Sequence, residues 1–170
     1  MLKFLFPRLT DDPARGAQGF AAITRLARNP AYFRDGGVPD TLDGRFALLA
    51  SVTALALVRV EREGSAGEAA SVALTERFIE AMEAEHRELG MSDPTLGKTI
   101  RKLVGALSGR VDAWRGAVAG DANWADVTRI SLFKSPVEAP ALDRAAALLR
   151  SDWGRLDSTL IDSLMAGEVA

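Results

Sequence analysis

Glu83-Ala84-Glu85-His86 sets a carboxylate and an imidazole three residues apart, the Glu-x-x-His spacing that lines di-metal centres in four-helix bundles. Such a centre needs the motif twice, and the chain has one His. A single metal on Glu83, Glu85 and His86 is the remaining alternative. With Glu80 and Glu88 on the same stretch, the plainer reading is a solvated acidic helix face. Gly97-Lys98-Thr99 carries the last residues of a phosphate-binding loop. Its first glycine is missing, because Ser92 stands in that place and Gly90 is too far back, and Pro94 interrupts the run. A helical rather than a strand pattern precedes it, so nucleotide binding is not expected. No Gly-x-Ser-x-Gly elbow occurs, and His86 lies in a charged helix with nothing in sequence to orient it. The expectation is a chain with no catalytic residues, no metal and no cofactor.

The elements that position these residues come from one ordinary domain's worth of chain. The 170 residues include no Cys, which excludes disulfides, thiolate metal sites and a Cys nucleophile. With 21 Lys plus Arg against 23 Asp plus Glu the net charge is −2, so no global attraction to DNA or membranes exists. Phe46 to Val58 is the longest apolar run, too short to cross a bilayer as a helix, which takes about 20 residues. The first ten residues, Met1 to Thr10, form an apolar and basic segment ahead of a single domain over residues 11–170. This segment is not a secretory signal. Two readings stand for it: it folds onto the domain, or it dips into a membrane surface with Phe4 and Phe6 inserted and Lys3 and Arg8 at the headgroups.

Helical periodicity dominates and no alternating strand pattern appears, so the fold class is all-α, an irregular bundle of six or seven helices. Asp11-Asp12-Pro13 reads as a helix start, and the helix it opens ends before Asn29-Pro30. Tyr32 to Asp43 reads as a loop. A second helix from Asp43 to Arg62 is apolar all round and belongs at the centre. Gly64 to Gly67 reads as a turn and Glu68 to Leu89 as the third helix. In the fourth, Leu96, Ile100, Leu103, Leu107, Val111, Trp114 and Val118 fall on one narrow stripe. Lys98, Arg101 and Lys102 then face the other way, in line with Gly105 and Gly109. Shorter helices are expected at Trp124 to Ile130, Leu142 to Arg150 and Leu156 to Met165. Trp124, Leu132 and Phe133, beside a loop, are candidates for exposed apolar surface, with ordinary core as the alternative.

Two stretches carry a resemblance. Gly37-Val38-Pro39-Asp40-Thr41-Leu42-Asp43-Gly44-Arg45-Phe46 leads directly into the apolar helix. Met82 to Asp93 is followed by Gly97-Lys98-Thr99-Ile100-Arg101-Lys102 and ends at Ser108-Gly109-Arg110. Together they resemble the ubiquinol–cytochrome c chaperone family, assembly factors of the respiratory cytochrome b–c complex. The resemblance covers about residues 30 to 120. Where the family usually has Leu, Asp, a basic residue and an aromatic, this chain has His86, Glu83, Thr99 and Ser108.

The resemblance implies a non-catalytic helical chaperone that binds newly made cytochrome b. It also implies contact with the ribosome and a small helical partner protein. It marks Asp43, Arg45, Lys98, Arg101, Lys102 and Arg110 as partner-binding positions. The implied location is the cytoplasm, peripheral at the inner membrane. A helical scaffold on the ribosome or an anionic membrane, holding no client, is the competing expectation. Lys98, Arg101 and Lys102 would serve either role by neutralising phosphates.

Overall fold

A central helix that is apolar on every side can be stable only if other helices cover it completely. In the computed structural model, which describes residues 14–90 and 93–169, that helix is α3 (Leu42–Val60), buried at every position from 47 to 60 except half-buried Leu49. Thr41 caps it, its hydroxyl accepting from the Gly44 amide at 3.2 Å. At the other end Arg59 donates to Glu63 at 2.6 Å and to the Thr159 carbonyl at 3.1 Å. Against α3 pack α1 (Ala17–Ala27), α4 (Gly64–Glu88) and α5 (Asp93–Ala119), while the short α2 (Ala31–Arg34) packs on α7 (Ala139–Ser158). α6 (Trp124–Leu132), α7 and α8 (Ile161–Met165) complete the shell. Among the described residues the fold is all-α, with six helices of nine residues or more and two shorter ones.

Three local expectations change. Residues 64–67 are the first turn of α4 rather than a loop, because the short 3-10 turn Glu61–Glu63 is enough to reverse the chain. The 32–43 stretch begins inside α2, whose Tyr32 is buried. Its hydroxyl donates to the Asp152 carboxylate at 2.5 Å, tying α2 to α7. The segments expected at 142–150 and 156–165 are instead one helix, α7, followed by α8 after a break at Thr159-Leu160. The helix passes straight through Asp152, whose polarity is absorbed by Tyr32 rather than by a turn. The expected helix start at Asp11-Asp12-Pro13, and the boundary between residues 10 and 11, lie outside the described residues.

Trp124, Leu132 and Phe133 are core or lie against it. Trp124 and Leu132 are 8% and 3% exposed, and Phe133 packs onto the same cluster. α6 turns Trp124, Val127, Thr128, Ser131 and Leu132 inward. The Trp124 ring stands 5.1 Å from that of Trp114, and its Nε1 donates to the Ala146 carbonyl at 3.1 Å, so it joins α5, α6 and α7.

Candidate functional site

α5 positions the expected ridge through the strictness of its apolar stripe. Leu96, Ile100, Leu107, Val111 and Trp114 are all buried, which fixes the helix's rotation and sends Lys98, Arg101 and Lys102 to solvent. Among the described residues these three cations form no ion pair or hydrogen bond. Gly105 and Gly109 continue the same face, exposed, with open space where a side chain would begin. The surface is therefore cationic at its start and flat further along, a shape that admits another backbone closely.

Arg110 departs from this cluster. At about 100° per residue it sits about 120° round the helix from Lys98, nearer the buried side. Its guanidinium donates to the carbonyls of Ala106 at 3.1 Å and Ser131 at 2.9 Å, and lies 5.7 Å from the Phe46 ring centre. Burial lowers its affinity for its proton, and its Nε has no partner. Arg110 thus holds α5 to α6 and to the start of α3. Asp43 and Arg45 flank that start, both exposed, and each already holds an ion: Asp43 with Lys134 at 2.7 Å, Arg45 with Asp40 at 2.7 Å. Such exposed pairs exchange easily with a partner's charges because each is worth at most about 1 kcal/mol.

A second surface was not legible in the sequence. α1, α2, α3 and α4 enclose a groove of about 870 Å³ with Phe20, Phe33, Phe46, Leu49 and Met82 on its walls. Its rim carries Arg28, Arg34, Asp40, Arg45, Glu85 and Glu88. The volume lies within the range of sites that bury small ligands or a few side chains. Phe46 and Arg45 belong to the Asp43-Gly44-Arg45-Phe46 motif, so the local signal existed. Phe20 and Phe33 reach the groove only because α1 packs on α3 and α4 while α2 packs on α7, which no local pattern encodes.

On the acidic stretch of α4 the backbone fixes the orientation of His86. His86 Nδ1 lies 2.8 Å from the Met82 carbonyl oxygen, which can only accept, so that nitrogen is a donor. Among the described residues no three His, Asp or Glu side chains converge, and no helix is long and apolar enough to cross a membrane. Lys3, Phe4, Phe6 and Arg8 lie outside the described residues.

The fold defines an all-α domain wrapped around one buried central helix. A sequence model described as ubiquinol-cytochrome C chaperone matches residues 34–170, and the chain belongs to that family. The crystal structure of the Cbp3 homolog from Brucella abortus is similar throughout, with a TM-score of 0.76 and 26% identity. That match covers 100% of this chain and 96% of the other. No curated protein matches the sequence.

Proposed function

We propose that this chain binds newly synthesised cytochrome b and supports assembly of the respiratory cytochrome b–c complex, without catalysing a reaction. Membership of the ubiquinol-cytochrome C chaperone family carries the reading, because the match spans both the Asp43 to Phe46 start of α3 and the Lys98 to Lys102 ridge. The groove supports it physically: an apolar client needs uncovered apolar surface, and a groove limits how much of that surface meets water. The ridge adds a cationic contact to the same client. On this reading the protein works in the cytoplasm at the inner membrane surface, with a small helical protein as a further partner. Deleting the gene is expected to lower the assembled cytochrome b–c complex while unrelated terminal oxidases keep their level, read by difference spectra of membranes. An unchanged cytochrome b–c level in that strain contradicts the proposal.

The unpaired state of Lys98, Arg101 and Lys102 also supports a second reading, a scaffold on the ribosome or an anionic membrane that holds no client. A basic residue close to an anionic surface contributes about 1 kcal/mol. Lys98→Glu/Arg101→Glu/Lys102→Glu is then expected to abolish co-sedimentation with phosphatidylglycerol vesicles at low salt. Equal sedimentation of variant and wild type removes the ridge from membrane attachment.

A further inference from the structure

We propose that this protein binds a phosphate monoester in a second pocket, of about 340 Å³, where the end of α1, the C-terminal part of α7 and the chain beyond α8 meet. The proposal goes beyond the chaperone reading and does not rest on it. Arg25 lines the pocket from the last turn of α1, Arg28 from its C-cap and Arg155 from α7. Among the described residues Asp152 is the one carboxylate on the wall. It is 5% exposed and already accepts from the Tyr32 hydroxyl at 2.5 Å. Three guanidiniums against one carboxylate leave a surplus of two positive charges. A phosphate monoester, with a charge of about −1.5 to −2 at neutral pH, matches that surplus.

Backbone rather than acidic side chains builds the site. Arg25 donates from Nη2 to the Gly167 carbonyl at 2.7 Å, which places its guanidinium and leaves further N–H groups to donate. Among the described residues Arg25 and Arg28 form no ion pair. Gly167 stands at φ 85°, and a side-chain carbon there would lie 2.9 Å from the Gln18 carbonyl oxygen. Glycine therefore lets the chain lie against α1 and bring Val169 to the pocket. The Asn29 side-chain oxygen accepts from the Ala31 amide at 3.0 Å, which leaves its NH2 group as another donor on the wall. Guanidinium forks suit phosphate oxygens because two parallel N–H groups can serve one phosphate. Ala22, Leu26, Pro30 and Val169 add an apolar wall for the group that the phosphate carries. The volume is at the lower end of sites that hold small organic ligands, so an ester fits better than the bare ion.

Glycerol 3-phosphate, inorganic phosphate and vesicles containing phosphatidic acid are the probes, each titrated against the full chain. Calorimetry is expected to show one saturable site for glycerol 3-phosphate, tighter than for inorganic phosphate. The Arg28 guanidinium forms no ion pair or hydrogen bond among the described residues, so Arg28→Gln should leave the fold intact by circular dichroism. It is expected to weaken the ester about tenfold, the scale of one hydrogen bond to a charged group. Arg155→Gln is expected to do the same. Lys98→Glu/Arg101→Glu/Lys102→Glu is expected to bind the ester like wild type, which separates the pocket from the ridge. Vesicles that compete with the ester in an Arg28-dependent way make a lipid headgroup the source, and vesicles that do not compete make it a soluble ester. Either result upholds the site. No saturable binding of millimolar ester by the folded wild type overturns the proposal. So does binding that survives both pocket variants, or inorganic phosphate bound as tightly as the ester. No client enters any arm, so failure here leaves the chaperone reading standing.

Discussion

Gly44→Ala is expected to destabilise the protein by about 3 kcal/mol, the upper end of what forcing an extra carbon into a packed site costs. Gly44 is buried in the first turn of α3, where its amide is held by the Thr41 hydroxyl. A methyl group there would overlap the Pro39 carbonyl oxygen, with the Pro39 carbonyl carbon 3.0 Å away. The obstacle is backbone, so no side-chain rotation relieves it. Either α3 loses its first turn or the 39–44 segment opens and carries Asp40, Arg45 and Phe46 away from the groove. This gives a physical reason for Gly in the Asp43-Gly44-Arg45-Phe46 motif. Gly105→Ala and Gly109→Ala are the controls. Both sites are helical with open space around them, so each is expected to stabilise by about 0.5–1 kcal/mol. Urea midpoints read all three, and a Gly44→Ala midpoint equal to wild type contradicts the packing described.

The second large effect concerns Tyr32 and Asp152. Tyr32→Phe removes the donor from a carboxylate that is 5% exposed, and a buried acceptor left without its partner costs about 1–3 kcal/mol, more when charged. Burial raises the Asp152 pKa above the ordinary carboxylate value, against the opposing influence of the Tyr32 hydrogen bond and Arg155. Burial and then the Asp152 charge push the Tyr32 hydroxyl upward, so it stays a donor. The raised carboxyl binds its proton more tightly in the folded state than in the unfolded one. Its contribution is therefore complete below the ordinary carboxylate pKa and is lost as pH climbs through the raised value. Tyr32→Phe should accordingly cost more at pH 7 than at pH 4. Asp152→Asn keeps an oxygen to accept from Tyr32 and removes the charge, so its stability should not fall between those pH values on this account. Chemical denaturation at both pH values measures each. Equal losses for Tyr32→Phe at pH 4 and pH 7 contradict a charged, tyrosine-dependent Asp152.

How far the sequence reveals the fold depends on whether the determining contact is local. The apolar circumference of α3 and the stripe of α5 are properties of single helices, and both predict burial correctly, together with the outward ridge of Lys98, Arg101 and Lys102. The continuity of α7 is not local. The expected segments stop at Arg150 and resume at Leu156, yet the helix runs on through Asp152, whose carboxylate accepts from Tyr32, 120 residues away. Arg110 shares the ridge's charge but not its face, and counting 100° per residue from Lys98 separates the two. The groove was invisible because α1 and α2 supply Phe20 and Phe33, whose spacing carries no mark of their meeting Met82 and Phe46. Its rim residue Glu85 belongs to the acidic stretch that, read alone, suggested a solvated face or a single metal site.

Placing a photoreactive residue at position 102 tests the central claim most directly. Lys102→p-benzoylphenylalanine, irradiated in cells making the cytochrome b–c complex, reports what the exposed face of α5 touches. Cytochrome b in the adducts, diminished when Lys98→Glu and Arg101→Glu are added, is the predicted result. Adducts from the same position that contain no cytochrome b, in cells whose complex is assembling normally, contradict it.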